Sequence, residues 1–268
     1  MTLTPALATL NSSTNHLTVN WHEPGLAEVI LSNPEQRNAM SEPMTAAWEV
    51  AMSELGRLPQ LRAVLVRGAG KAFCAGGDLG WIGQGGAQTV PELSARMDRF
   101  YRAWLSITSL QVPTVAYLNG PAVGAGAAVA LACDIRWAGP GARFSVPFTR
   151  LGLHAGMGTT FLLPDVVGPA LARDLLLTGR TIDAIEMVET RVATAVVEPE
   201  RVLERVQEMA ANAPIAMRMT KRGLGHAHTL DEALRWEGVV QPVTMATDDL
   251  QEGIAAAQQR RAPHFEGR

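Results

Sequence analysis

The amino-acid sequence predicts an α/β fold that is followed by a helical C-terminal region. In the first half, short apolar and β-branched runs alternate with longer amphipathic stretches, a pattern typical of parallel strands joined by helices. Two strand-like runs, residues 63–67 and 113–119, each lead into a glycine-rich turn. From Glu198 onward, only helical patterning is present. We therefore expect a core over residues 1–197 and a helical region over residues 198–268.

Each element of the first half follows from its residue types. Residues 17–21 and 27–31 are apolar and β-branched, and they can pair as a hairpin across a Glu-Pro-Gly turn. Ser41 is suited to cap a helix that extends to about Leu58. Further strands are predicted at residues 63–67, 114–118, 134–137 and 142–146, and further helices at residues 89–110 and 124–132.

The C-terminal region reads as consecutive helices with little sequence between them. They are predicted at residues 200–212, 214–223, 229–247 and 248–260. Because no strand pattern accompanies them, we expect these helices to form a separate unit beside the α/β core.

Composition excludes several classes of protein. The chain has 268 residues, of which 47% are hydrophobic and 18% charged, with a net charge of -3, as expected for an ordinary globular protein. No Lys/Arg cluster is present, so we do not expect nucleic-acid binding. Residues 1–16 lack the basic and apolar regions of a signal peptide, and the apolar run 111–133 is interrupted by prolines and a glycine. We expect a cytoplasmic protein without a membrane partner.

Cysteine and histidine usage predicts neither a disulfide nor a metal site. Cys74 and Cys133 are the only cysteines, and a reduced cytoplasmic setting disfavours their pairing. Cys74 lies in the first glycine-rich turn, but a nucleophilic cysteine needs a nearby base and no histidine is close in sequence. We interpret it as a small buried hydrophobe. No acid–histidine cluster has the spacing of metal ligands.

The two glycine-rich turns are the most informative motifs. The first is Cys-Ala-Gly-Gly at residues 74–77, and the second is Asn-Gly-Pro-Ala-Val-Gly-Ala-Gly at residues 119–126. Glycine lets the backbone approach a ligand closely and leaves N–H groups pointing outward. Two such turns can direct two donors at one oxygen, which is how an oxyanion hole is built. The alternative is that each is simply a tight turn.

A dinucleotide-binding loop is another interpretation of residues 123–128. The segment follows a strand and opens a helix, as that loop requires. However, the third glycine is displaced, and no acidic residue ends a second strand about 20 residues further on. We therefore do not expect a bound dinucleotide such as NAD.

Several segments, in this order, resemble the crotonase superfamily, also called the enoyl-CoA hydratase/isomerase family. They are residues 33–40, 71–79, 119–134, 144–158 and 252–265. The resemblance implies a superhelix of ββα turns with a helical C-terminal region that forms trimers, usually paired as hexamers. It also implies an acyl-CoA thioester as substrate, with coenzyme A present only as part of that substrate.

The resemblance assigns roles to individual residues. The thioester oxygen would lie between the backbone N–H groups of Gly77 and Ala125, the latter at a position where the family commonly has glycine. Arg37 and Lys71 are candidates for phosphate contacts, with solvated surface charges as the alternative. The whole set expected at the coenzyme A site is Arg37, Ala39, Lys71, Ala75, Gly76 and Leu79.

One departure from the family pattern bears on the reaction. Hydratases of this family carry two glutamates, and Ala128 and Phe148 stand at those positions here. Neither side chain transfers protons, and each lost acid–base group costs about 10²–10⁴-fold in rate, so hydration by the standard route is not expected. The remaining candidate groups are Asp78, which is otherwise a brace for the loop, and His154, whose ordinary pKa of ~6.5 suits a proton shuttle.

These observations leave more than one function open. The leading hypothesis is an enzyme of the hydratase/isomerase family that stabilises a thioester enolate. Isomerisation, decarboxylation and C–C hydrolysis are alternatives to hydration. A non-catalytic acyl-CoA-binding protein is the alternative to an enzyme.

Overall fold

The computed structural model describes residues 5–9, 11, 13–83, 88–225 and 229–268. The strands are β1 (Leu17–His22), β2 (Leu26–Leu31), β3 (Ala63–Gly68), β4 (Thr114–Leu118), β5 (Pro121–Val123), β6 (Ile135–Ala138), β7 (Arg143–Ser145), β8 (Thr181–Asp183) and β9 (Ala195–Val196). The helices are α1 (Pro5–Thr9), α2 (Glu42–Gly56), α3 (Leu79–Gly83), α4 (Val90–Leu105), α5 (Ala125–Ala132), α6 (Thr159–Val167), α7 (Pro169–Thr178), α8 (Ala184–Glu189), α9 (Pro199–Ala210), α10 (Pro214–Leu224), α11 (Leu230–Met245) and α12 (Asp248–Gln259).

The main sheet has six strands in the order β1-β2-β3-β4-β6-β9. β1 and β2 form the predicted antiparallel hairpin, and every other neighbouring pair is parallel. Because the inner parallel strands are covered on both faces, β2 is apolar at five of its six positions and buried throughout. The α/β prediction and the hairpin are confirmed.

Two elements differ from the sequence prediction. The predicted strand at residues 142–146 is β7, and it belongs to a second sheet of three strands in the order β5-β7-β8. The predicted helix over residues 89–110 ends at Leu105 and continues as a tight 3₁₀ turn. The reason is local, since the hydroxyls of Ser106 and Thr108 donate to the carbonyls of Ala103 and Leu105 and favour the tighter winding.

Each face of the main sheet covers its own apolar core. On one face, Trp48 of α2 and Trp104 of α4 stack with their ring centroids 4.8 Å apart, and the Trp48 indole donates to the Trp104 carbonyl. On the other face, α9 packs Val202 and Val206 against strand residues such as Leu65. The site described below lies at the carboxyl ends of β3 and β4.

The C-terminal helices are present as predicted, and they expose much apolar surface. α11 buries none of its residues and exposes Leu230, Leu234, Val239, Val243 and Met245. A domain boundary between residues 197 and 198 stays a prediction.

In the described part of the chain, no helix combines the length and apolar character required to cross a membrane.

Candidate functional site

The two glycine-rich turns lie side by side because β3 and β4 are neighbouring parallel strands that end at the same edge. A β-bridge joins Cys74 to Ala122. The Cys74 amide donates to the Pro121 carbonyl at 3.1 Å, and the Val123 amide donates to the Cys74 carbonyl at 2.9 Å. The first turn is thus hydrogen-bonded to the strand that leads into the second.

Two glycines are required where these turns meet. Gly76 has φ +97°, and a Cβ there would lie 2.7 Å from the Val123 carbonyl oxygen and 3.4 Å from the Ala125 amide nitrogen. A Cβ on Gly126, in the first turn of α5, would lie 2.4 Å from the Cys74 carbonyl oxygen. Side chains at these positions would push the turns apart, so the glycines explain their close approach.

The amides of Gly77 and Ala125 are available to a ligand. The Met40 amide donates to the Gly76 carbonyl at 2.8 Å, which holds the backbone just before Gly77. Ala125 is the first residue of α5, where N–H groups have no partner within the helix. Neither amide donates a hydrogen bond to any residue within the described ranges. Two free donors on adjoining turns can bind one oxygen, and the helix N-terminus favours negative charge there.

Two asparagines support these turns, and sequence reasoning did not single them out. Asn38 is fully buried with φ +57°, and its side-chain amide donates to the carbonyls of Ala69 and Ala72, both at 2.9 Å. Asn119 accepts from the Gly68 amide at 2.9 Å and also donates to Ala72. Both lie inside the quoted motifs, but their partners are far away in the sequence, so no local signal marks this role.

Cys74 is a structural residue in this arrangement. Its thiol is completely buried and lies 3.0 Å from the carbonyl oxygen of Asn38. Burial raises the pKa of the Cys74 thiol to about 12, and the Gly76 amide only partly opposes that shift. A neutral thiol at neutral pH is a poor nucleophile, in agreement with the interpretation from sequence.

Positions 128 and 148, where hydratases of this family carry glutamates, hold no acidic side chain in this chain. Ala128 is 0% exposed, one turn along α5. Phe148 is half-buried, and its ring lies 3.8 Å from where a Cβ on Gly124 would be. A small methyl group and an aromatic ring therefore occupy these two positions.

The three titratable candidates differ in their exposure and in their hydrogen bonds. Asp78 is half-buried, directly follows Gly77, and accepts from the Ile82 amide at 2.9 Å through its backbone carbonyl. His154 is exposed, and its ring makes no hydrogen bond to the residues that the structure describes. Tyr101 on α4 is half-buried, burial raises the pKa of its phenol, and its oxygen accepts from the Met157 amide.

The candidate coenzyme A residues lie along the first turn and the loop before α2. Arg37 and Lys71 are exposed and form no ion pair with the described residues. The Arg37 carbonyl accepts from the Ala75 amide at 3.0 Å, which links the loop to the turn. Ala39 and Ala75 are half-buried, Gly76 is buried, and the side chain of Leu79 lies outside the described part of the structure.

The comparison with protein families decides the family. The model described as enoyl-CoA hydratase/isomerase matches residues 22–268. The chain belongs to the enoyl-CoA hydratase/isomerase family. It is therefore a member of the crotonase superfamily, as the sequence motifs predicted, and its family is a family of enzymes.

Named relatives agree with this membership. A probable enoyl-CoA hydratase of Mycobacterium tuberculosis is 37% identical over 246 residues, covering 88% of this chain and 94% of the relative. The 1,2-epoxyphenylacetyl-CoA isomerase of Escherichia coli is 32% identical over 253 residues, covering 92% and 97%. The crystal structure of an enoyl-CoA hydratase from Bacillus anthracis superposes with a TM-score of 0.87 at 28% identity, covering 94% and 100% of the two chains.

Proposed function

We propose that this protein binds an acyl-CoA thioester with its carbonyl oxygen between the amides of Gly77 and Ala125. Enolisation moves negative charge onto that oxygen, and each fixed donor contributes about 3 kcal/mol of transition-state stabilisation. The free amides on adjoining turns support this role, as does the start of α5 behind Ala125. Coenzyme A is part of the substrate and not a resident cofactor.

The proposed reaction is enolate chemistry that does not depend on two glutamates. The observation that carries this proposal is the pair Ala128 and Phe148, one fully buried and the other packed against Gly124. Neither group can hold and activate a water molecule. Isomerisation is the first reaction to test, because the E. coli relative is named an isomerase. Decarboxylation and C–C hydrolysis follow.

The proton-transfer groups in this proposal are Asp78 and His154. Asp78 lies beside the amide donor Gly77, and His154 follows the segment that carries Phe148. Replacing either by alanine should lower turnover if it moves the proton. If both variants retain full activity, the base lies elsewhere in the pocket.

The remaining contacts are proposed from the same family membership. The phosphates of coenzyme A would meet Arg37 and Lys71, and its other groups would lie along Ala39, Ala75, Gly76 and Leu79. A trimer or hexamer would cover the exposed apolar face of α11.

A non-catalytic acyl-CoA-binding protein is the second candidate. The exposure of His154 and the absence of an acid at positions 128 and 148 favour it over an efficient hydratase. Exchange of the α-proton of butyryl-CoA for deuterium, followed by NMR, distinguishes the two, because only an enolising enzyme accelerates it.

The test of the reaction is crotonyl-CoA hydration, followed at the absorbance of the conjugated thioester. The wild type should bind crotonyl-CoA by calorimetry but hydrate it slowly. The substitution Ala128→Glu should raise hydration, whereas the uncharged Ala128→Gln of equal size should not. Robust hydration by the wild type would contradict the proposal, and absence of thioester binding would remove its basis.

A further inference from the structure

A buried arginine lies at the opposite end of α5 from the free amide of Ala125. Arg136 of β6 is 8% exposed, and its Nη1 donates to the carbonyls of Cys133 and Leu131 at 2.6 and 3.3 Å. Both carbonyls belong to the C-terminal end of α5, where carbonyl groups have no partner within the helix. The guanidinium therefore lies at the C-terminus of the helix whose first amide is the proposed oxygen donor.

The guanidinium is held in this position by bonds to the backbone. Its Nε donates to the Val192 carbonyl at 2.8 Å, in the segment before β9. The backbone carbonyl of Arg136 accepts from the Thr194 amide at 2.9 Å, which joins β6 to the same segment. The hydrogen bonds of the guanidinium to described residues go to carbonyl groups, and no described carboxylate forms an ion pair with it. Its positive charge is therefore not neutralised by direct contact.

The helix α5 provides an apolar path between the guanidinium and Ala125. Its 8 residues are alanine, glycine, valine and leucine, and all except Ala132 are buried. At 1.5 Å per residue, the helix is about 12 Å long. A charge is screened less where water is excluded. The charge of Arg136 therefore acts at the N-terminus of α5 with little loss to solvent.

Other charges near this end of α5 are more exposed and do not cancel that of Arg136. Asp134 and Asp165 are both exposed, and they act on Arg136 without direct contact. Asp134 also forms an ion pair with Lys221 at 2.7 Å. Burial lowers the pKa of Arg136, but the group stays charged because arginine is not deprotonated in proteins.

A positive charge at the C-terminus of α5 favours negative charge at its N-terminus. In the proposed reaction, negative charge develops on the thioester oxygen beside the Ala125 amide. A unit charge about 12–15 Å away, at an effective dielectric constant of about 20, changes a rate by roughly five- to tenfold. The hydrogen bonds from the same guanidinium to the last carbonyls also hold the helix in place.

We propose that Arg136 is a positioning residue for the reaction, which holds α5 and whose charge stabilises the enolate oxygen beside Ala125. This inference rests on the proposed function, because it requires a thioester oxygen at that amide. It assigns a role in the reaction to a side chain that makes no hydrogen bond to either glycine-rich turn.

The test compares butyryl-CoA, labelled with ¹³C at its carbonyl carbon, when bound to the wild type and to charge variants. The infrared frequency of the bound carbonyl measures its polarisation, deuterium exchange at the α-carbon measures the rate, and calorimetry measures the affinity. Arg136→Met should slow exchange by about five- to tenfold and reduce the downshift of the carbonyl frequency, at unchanged affinity. Arg136→Lys keeps the charge and should retain most of the rate. Arg57→Met removes an exposed charge and should change none of these values.

A second pair of variants keeps the inference testable if Arg136→Met does not fold. Ala132 is the last residue of α5, is half-buried and lines a cavity, so a larger side chain has room there. The negative charge of Ala132→Asp should slow exchange and reduce the carbonyl downshift. The neutral Ala132→Asn, of nearly equal size, should do neither.

The outcomes separate this inference from the proposed function. Wild-type exchange rates and carbonyl frequencies in Arg136→Met, or in Ala132→Asp, would overturn the inference alone. Exchange as slow in Arg136→Lys as in Arg136→Met would show that the charge is not the cause. A wild type that binds no butyryl-CoA, or binds it without lowering the carbonyl frequency, would overturn the proposed function and this inference with it.

Discussion

The carbonyl oxygen of Cys74 accepts a hydrogen bond from the amide of Val123 at 2.9 Å. This bond joins the two turns whose amides, at Gly77 and Ala125, remain free. It also places the Cys74 backbone directly beneath Gly126 in the first turn of α5. The geometry of the proposed oxygen site therefore depends on a contact between backbone atoms, in which no side chain takes part.

The substitution Gly126→Ala should disrupt this contact. The new Cβ would lie 2.4 Å from a backbone oxygen that cannot rotate away. Overpacking of this kind costs about 1–3 kcal/mol, which exceeds the ~1 kcal/mol that alanine gains over glycine in a helix. We expect a lower free energy of unfolding in urea. Gly141→Ala, where a Cβ meets nothing within 4 Å, is the control. Equal stability of the two variants would contradict the model of interlocked turns.

The substitution Ala125→Pro should remove one proposed oxygen donor with little effect on folding. Ala125 is the first residue of α5, where proline is tolerated because its missing N–H has no helical partner. Loss of one such donor costs about 10²–10³-fold in rate. The rate of deuterium exchange at the α-carbon of butyryl-CoA measures this loss of activity. Ala125→Gly retains the N–H and should remain active, so a loss in both variants would point to the side chain instead.

Glu28 should make stability depend on pH in the acid range. Burial acts to raise the pKa of Glu28, but hydrogen bonds from Asn20, Arg67 and His22 outweigh it and hold the pKa below its ordinary value. The Arg67 Nε–Glu28 Oε1 distance is 2.6 Å.

A lowered pKa in the folded state means that the stabilisation is present above the ordinary glutamate pKa of ~4.3 and is lost as the pH falls through the folded-state value. The wild type should exceed Glu28→Gln in stability by about 1–3 kcal/mol at pH 7. That difference should shrink toward pH 3. A constant difference between pH 7 and pH 3, measured by urea unfolding, would rule out the ionised carboxylate as its source.

Both cysteine thiols should resist modification in the folded protein. Burial raises the pKa of Cys74 and of Cys133 to about 12. The reactive thiolate is therefore scarce at pH 8, and the sulfur atoms are also shielded. Titration with a disulfide reagent should find two thiols only after denaturation. Rapid reaction of one thiol in the native state would show that Cys74 has the activated character that we exclude.

Much of the fold was predictable because its signals are local. The apolar runs of β2, β3 and β4 and the glycine-rich turns after β3 and β4 are readable from a few consecutive residues. The sequence pattern did not predict β8 or helices α6–α8, because short half-buried elements have weak periodicity.

The candidate site was predictable only in part. Gly77 and Ala125 were predicted as donors from the motif around them, and that role stays a prediction, whereas the supporting contacts of Asn38 and Asn119 were not predicted. These two asparagines act through bonds to residues between 31 and 51 positions away in sequence, which no local pattern reveals.

The sequence by itself determined the family, the positions of the two turns and the absence of a carboxylate at positions 128 and 148, because residue identity alone decides what can transfer a proton. Only the tertiary structure decided that the two turns touch, that Phe148 packs on Gly124, and that the Val192 carbonyl binds the guanidinium of Arg136. These relationships join residues far apart in the chain, and they exist only once the strands and helices have packed together.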